Sequence, residues 1–409
     1  MKILSILSRP SFLFTLILSI LSPLAPTHAA DWPNFRGPSH NGISSESDFQ
    51  TQWPADGPPV LWKASVGTGF ASVSVSAGRL YTVGNHSDTD TIYCLDAETG
   101  RTLWIHTYPC PLTPNLYEGG PSATPTIDGS RVFTLSKQGD LLCLAADSGQ
   151  VLWQKSIASD FNVEPPGWGF AGSPLISGDL LILNAGPLGL AVNKNTGALA
   201  WSSTGPGAGY SSAVPCQVAA APAVALFFAH EVAALDPATG HPLWRHPWKT
   251  DYDLNIADPV LAGSRLFVSS DYGHGCALLN LNDGSEVWAS KALGNHISSC
   301  IIVDGFVYGV DGNVGGAQLK CLDLANGSVK WTYPGLGAGS LILAAGHKII
   351  ALSDKGVLMV ADASPAGFNP ISQAQILGGK CWTSPVLANG RIYCRNARGD
   401  LACLDVKRK

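Results

Sequence analysis

"LDAETGRTLW" occupies residues 95–104: Leu-Asp, two free positions, a small polar residue, Gly, three free positions and Trp. The same pattern is complete in Leu235 to Trp244 and in Leu322 to Trp331. Variants run Leu144 to Trp153, Val192 to Trp201 and Leu279 to Trp288, with Ala145, Asn193 and Asn280 in place of the aspartate. In all six the tryptophan follows the glycine by four residues. A seventh copy, Ala361-Asp362, lacks both glycine and tryptophan, and an eighth, Leu404-Asp405, sits at the chain end. The Asp-like positions 96, 145, 193, 236, 280, 323, 362 and 405 lie 39 to 49 residues apart, the period of propeller blades.

Each fixed position has a physical reason. An Asp or Asn closing a strand accepts hydrogen bonds from the following turn, and glycine takes a positive φ there at little cost. The tryptophan brings more apolar surface than one sheet can bury, so it is expected to pack against the next blade. Upstream of each hairpin stand segments such as "SPLISG" (173–178), "DPVLAG" (258–263) and "SPVLANG" (384–390), each followed by an apolar run. These read as strands a and b, the Leu-Asp strand as c, and the tryptophan strand as d.

The chain ends supply the closure. The last repeat has a, b and c but stops at Lys409 before any d, while "PPVLWKASV" near the start carries an unmatched d with Trp62. Pairing them predicts an all-β, eight-bladed propeller of four-stranded antiparallel blades, with the N-terminal strand completing the C-terminal blade. Residues 59–409 form this ring, and 31–58 are an N-terminal extension expected on its outside. Composition agrees: 45 glycines and 28 prolines suit many short strands joined by turns, and charged residues make up only 13% of the 409.

Residues 1–30 read as a cleavable export signal: Lys2 and Arg9, the apolar "SFLFTLILSILSPLA", then small residues at "THAA". A membrane anchor is the competing reading, weakened by the short segment and by Pro23 and Pro26. The first cysteine is Cys94, so no lipid acceptor stands at the cleavage point. A periplasmic or secreted monomer without lipid anchor or membrane insertion is expected. Without Lys2 and Arg9 there remain 23 basic and 30 acidic residues, which disfavours nucleic acid as a partner.

The repeat resembles that of the pyrroloquinoline-quinone (PQQ) propeller family, which includes the quinoprotein alcohol dehydrogenases and the envelope scaffold BamB. The resemblance covers residues 59 to 405. "DWPNFRGP" and the C-terminal "GKCWTSPVLANGRIYCRNARGDLACLD" are similar to a branch of exported bacterial proteins. It implies the fold, and it leaves activity open because function resides in a site. Cofactor-binding members typically carry adjacent cysteines, a calcium site of acidic and amide side chains and a catalytic aspartate. No two cysteines are adjacent here, there is no C-x-x-C-H, and no catalytic residue transfers.

A site is expected on the face that carries the d-to-a and b-to-c connections, because the opposite hairpins are uniform. Candidates on the d-to-a side are Glu118, Trp168, Tyr210, Asp253, Asn255, Asn295, His296, Lys380 and Trp382. Trp168 and Trp382 break the regular spacing and suit stacking on a ligand. The Asp and Asn residues compete with a turn-forming reading, and His296 with a structural one. Asp251, Asp253 and Asn255 alternate oxygens suited to calcium but lack the EF-hand pattern. On the b-to-c side stand His86, Asp271, His274, Asp311, Asn313 and Arg395.

Cys94, Cys143, Cys321 and Cys403 share one strand-c position, which suits small core residues, and a cross-strand disulfide between Cys394 and Cys403 is conceivable. No spacing suggests zinc. The favoured function is a binding or scaffolding protein of the cell envelope, holding an envelope protein, a peptide or a small ligand at the funnel. The alternative is a PQQ-dependent dehydrogenase with PQQ and calcium, acting on alcohols or sugars. Hydrolysis of a polymer in the funnel ranks last, for want of paired carboxylates at interpretable spacing.

Overall fold

The computed structural model describes residues 30–203 and 206–408, and the export-signal reading of residues 1–29 lies outside them. The strands form eight antiparallel sheets, seven of four strands and one carrying an extra fifth. Six sheets take four consecutive strands, from 74–109 to 301–333; the seventh takes 340–375, and the eighth joins Val386–Ala388, Arg391–Arg395 and Asp400–Asp405 to Val60–Ser65. Trp62 lies opposite Cys403 and Ser65 opposite Asp400, so the chain ends complete one blade as predicted.

The repeated residues act as their chemistry requires. Asp96 Oδ1 accepts the backbone N–H groups of Glu98 (3.1 Å) and Thr99 (2.8 Å), and Gly100 follows at φ 71°. A Cβ on Gly100 would come within 2.6 Å of the Trp62 ring, so glycine admits the neighbouring blade's tryptophan. Each such tryptophan also donates its indole N–H to a carbonyl of the next blade, as Trp104 does to Ala146 (3.0 Å) and Trp244 to Leu281 (2.7 Å). Seven of the eight joints are bridged this way, by Trp62, Trp104, Trp153, Trp201, Trp244, Trp288 and Trp331.

The joint between blades seven and eight differs. Ser372, opposite Val360, holds the position that tryptophan holds elsewhere. Its hydroxyl accepts the backbone N–H of Trp53 from the N-terminal extension (3.2 Å), and Trp53 packs against the apolar cluster shared by blades seven, eight and one. The extension supplies the missing aromatic ring.

The first part of that extension, residues 31–44, does not run along the outside, contrary to the expectation from sequence. Trp32 pairs with Val75 and Pro33 accepts from Ile127, both on innermost strands. Ile43 and Ser44 pair in parallel with Leu343 and Ala344, adding the fifth strand to the inner edge of blade seven. Residues 31–44 therefore occupy the central channel, contacting blades one, two, five, six, seven and eight in turn. Trp32 is 2% exposed. A free inner edge of short strands and an aromatic payload drive this burial.

All ten cysteines are free. Cys394 lies opposite Ala402 and Cys403 opposite Tyr393, so strand alternation sends the two thiols to opposite faces, and the conceivable disulfide is absent. Burial pushes the Cys94 and Cys143 thiols up to about 11, which keeps them unreactive core residues.

Candidate functional site

At the entry to strand a every blade places one short polar side chain around the channel: Ser72, Thr124, Ser173, Ser212, Asp258, Ser299 and Ser384 two residues before the strand, and Ser340 as its first residue. Backbone N–H groups donate to the next blade's side chain in succession. Ser72 donates to Thr124 (2.9 Å), Thr124 to Ser173 (2.9 Å), Ser173 to Ser212 (3.0 Å), Ser212 to Asp258 (2.7 Å) and Asp258 to Ser299 (2.9 Å). The belt continues with Ser340 donating to the Thr383 carbonyl and Ser72 to the Ser384 carbonyl, each at 3.1 Å. Seven members are hydroxyls and one is a carboxylate.

The carboxylate faces the plug. Asp258 lies 4.0 Å from Arg36 Nε, and Arg36 also donates to the carbonyls of Asn41 (2.9 Å) and Cys300 (2.8 Å). Both are almost completely buried, and burial raises the Asp258 carboxyl to about 6 even though Arg36 pulls it down. Arg36 thus pins the N-terminal segment across the channel to blades five and six.

Above this belt, on the face of the d-to-a and b-to-c loops, opens a cavity of about 440 Å³ with Phe35 of the plug among its lining residues. One wall is an aromatic run: Tyr117 and Phe70 have centroids 5.5 Å apart, and Phe70 stacks on Trp382 at 5.4 Å. Lys380 Nζ sits 4.3 Å over the Trp382 ring and pairs with Glu118 at 2.7 Å. Across the cavity, His296 meets Tyr272 edge to face at 5.3 Å. Its Nδ1 has no partner among the described residues, and burial holds the imidazole below its ordinary range, hence neutral.

Of the residues expected to form a site, Trp168, Tyr210, His296, Lys380 and Trp382 line this cavity, and Glu118 reaches it through Lys380. Tyr210 accepts the N–H of Trp168 at 3.4 Å. Three do not join them. Asn255 turns inward and donates to the carbonyls of Phe228 (2.8 Å) and Ala229 (3.1 Å); Asn295 donates to Val310 (2.9 Å). Asp253 faces outward against His230 at 3.0 Å. On the b-to-c side Asn313 lines the cavity, whereas Arg395 is buried and binds the carbonyls of Ala71, Val83 and Gly67 in blade one and at its entry. Phe35, Phe70, Tyr117, Tyr272 and Asp258 are among the other residues of the lining.

The alternating oxygens of Asp251, Asp253 and Asn255, read as suited to calcium, do not converge on one point. Asn255 spends its amide on the core, Asp253 is held by His230, and no group of three or more candidate metal ligands occurs among the described residues. The residues present do not fit the PQQ-with-calcium cofactor set.

Comparison with known proteins supports the same frame. The profile of the family described as outer membrane protein assembly factor BamB matches residues 54–113 and 90–333. A protein of that name from Moranella endobia (strain PCIT) is 26% identical over 301 residues, covering 69% of this chain and 74% of the relative. Among solved structures, BamB from Moraxella catarrhalis superposes with TM-score 0.64 at 18% identity, covering 85% of this chain and 99% of that one. The quinohemoprotein alcohol dehydrogenase of Comamonas testosteroni gives 0.71 at 14% identity, covering 93% and 81%. The structural likenesses speak to the fold alone, and the profile match, spanning most of the ring, carries the conclusion: the chain belongs to the BamB family of PQQ-like propellers.

Proposed function

We propose that this protein is a binding propeller of the cell envelope that holds a protein partner at the mouth of its ring. The observation that carries the reading is the axial cavity of about 440 Å³, walled by aromatic rings and closed beneath by the chain's own Phe35 and Arg36. A concave, largely apolar site with a few polar groups suits recognition. Trp168, Tyr210, His296, Lys380 and Trp382 are its contact residues. Family membership and the names of its relatives support a place in envelope assembly, and the expected export signal supports periplasmic or secreted delivery.

A photocrosslinking residue at Leu116 tests the reading, with one at Asp128 on the hairpin face as control. The expected result is an adduct with an envelope protein from the mouth position only. No adduct, or equal adducts from both faces, overturns it. The dehydrogenase alternative has its own check: thermal stability with added PQQ and calcium should stay unchanged, since any ligand selective for the native state raises it.

A further inference from the structure

We propose that the mouth takes a peptide segment of the partner that seats an apolar side chain in the axial cavity and an acidic side chain against Lys137. The inference deepens the binding role above and rests on it. Lys137, in the b-to-c loop of blade two, is only 4% exposed. Its Nζ donates to the Tyr117 hydroxyl at 2.5 Å and lies 4.9 Å from that ring's centroid. No carboxylate among the described residues lies within ion-pair distance of it; Asp90 acts from farther away and is already engaged by Asn85 (2.7 Å) and Tyr108 (3.3 Å). The contrast with Lys380, fully paired to Glu118 at the same mouth, is direct.

A buried ammonium without a counterion is costly, and a carboxylate brought by a ligand is the group that offsets the cost. Access exists. Lys137 lines a second cavity of about 250 Å³ with Gln138, Pro165 and Pro166, and this cavity shares Asn115, Tyr117 and Trp168 with the axial one. The two cavities thus adjoin at Asn115, Tyr117 and Trp168, and the proposed peptide spans them over these residues. Beside the axial cavity the Ser298 hydroxyl and His296 Nδ1 are buried and have no partner among the described residues.

The rim favours a polypeptide over a small anionic solute or an acidic saccharide. Leu116 is 93% exposed and Val314 55% exposed, both bordering the axial cavity, and Leu116 is held at φ 62°, a conformation unfavourable for leucine. Exposed aliphatic tips around a concave aromatic site are covered only by a partner that extends beyond the pocket.

The test pans a phage-displayed library of internal random dodecapeptides against the full chain, then measures the selected peptides, synthesised with blocked ends, by fluorescence anisotropy. Selected sequences should pair an aromatic or aliphatic residue with Asp or Glu. Replacing that acid by its amide in the peptide, or Lys137→Gln in the protein, should each weaken binding at least tenfold. Combining the two changes should cost no more than either alone. The peptide-side change keeps the result readable if the Lys137 variant fails to fold.

Selected peptides without an acid, or affinity indifferent to Lys137→Gln, would overturn the assignment. So would an oligogalacturonate probe that binds more tightly than the peptides and depends on Lys137. If no peptide is selected while Leu116 still crosslinks to an envelope protein, this inference fails and the proposed function stands.

Discussion

Seven joints of the ring are made by the repeat's own tryptophans, six of them laid on the next blade's glycine turn and Trp331 bonded to the Ser364 carbonyl, whereas the joint between blades seven and eight is made by residues from outside the repeat. The difference shows what a blade joint needs. Where Ser372 replaces the tryptophan, an aromatic ring still arrives, as Trp53, and the inner edge gains a strand, Ile43–Ser44. The requirement is buried apolar surface plus paired edges, and the chain can meet it locally or by folding a distant segment back.

Removing the segment is the strongest way to break the comparison. Deleting residues 31–50 strips Trp32 and Phe49 from the core, frees an inner strand edge and leaves Asp258 buried without Arg36. We expect this variant to lose more melting temperature than any single substitution in the ring, read by circular dichroism. A deletion no worse than Trp244→Ala would show that the segment merely decorates the channel.

Next come two substitutions of similar size. Trp244→Ala, at an ordinary joint, should cost about 3–5 kcal/mol in denaturant unfolding. Arg36→Met should also cost about 3–5 kcal/mol, because it strands a buried carboxylate. Adding Asp258→Ser, which gives blade five the hydroxyl of the other belt positions, should recover most of that loss; an additive double variant would refute the coupling.

Trp53→Ala sharpens the comparison from the other side. Trp53 is only partly buried, so its loss should cost about 1.5–3 kcal/mol, less than Trp244→Ala. An equal loss would mean that the borrowed ring is worth as much as a native one.

The last effect is in pH. The Asp258 carboxyl sits near 6 when folded and near 3.9 when unfolded, so the folded state holds the proton more tightly between those values. Its contribution is therefore complete below about pH 4 and is lost as pH rises toward about 6. Subtracting the Asp258→Ser melting curve from that of the wild type should isolate this slope. Arg36→Met should move the upper edge higher, since the guanidinium is what pulls the carboxyl down.

The ring was legible because every blade must solve the same burial problem with the same residues, so one ten-residue stretch repeats its solution. The mouth was legible in part. Trp168 and Trp382 declared themselves by departing from the tryptophan spacing, but Asn255 and Asn295 carry amides that satisfy backbone carbonyls in the core. Only the fold shows which use an amide serves. Arg395 misleads in the same way: it ends strand b beside a b-to-c loop and closes the ring instead. Lys137 was missed because a lysine in "SKQGD" looks like a solvated turn residue until Tyr117 and Trp168 cover it. The extension was misplaced although "DWPNFRGP" holds two aromatic residues and an arginine, more apolar payload than a surface strap carries.

Looping residues 31–44 into the channel and back also fixes where the chain enters the ring. Asp31 accepts from Ala77 (3.0 Å) and from Asn389 (3.3 Å), two hairpin turns on the face opposite the mouth. Anything that holds this protein by the residues before Asp31 holds it like a cup by its base, with the aromatic opening turned outward.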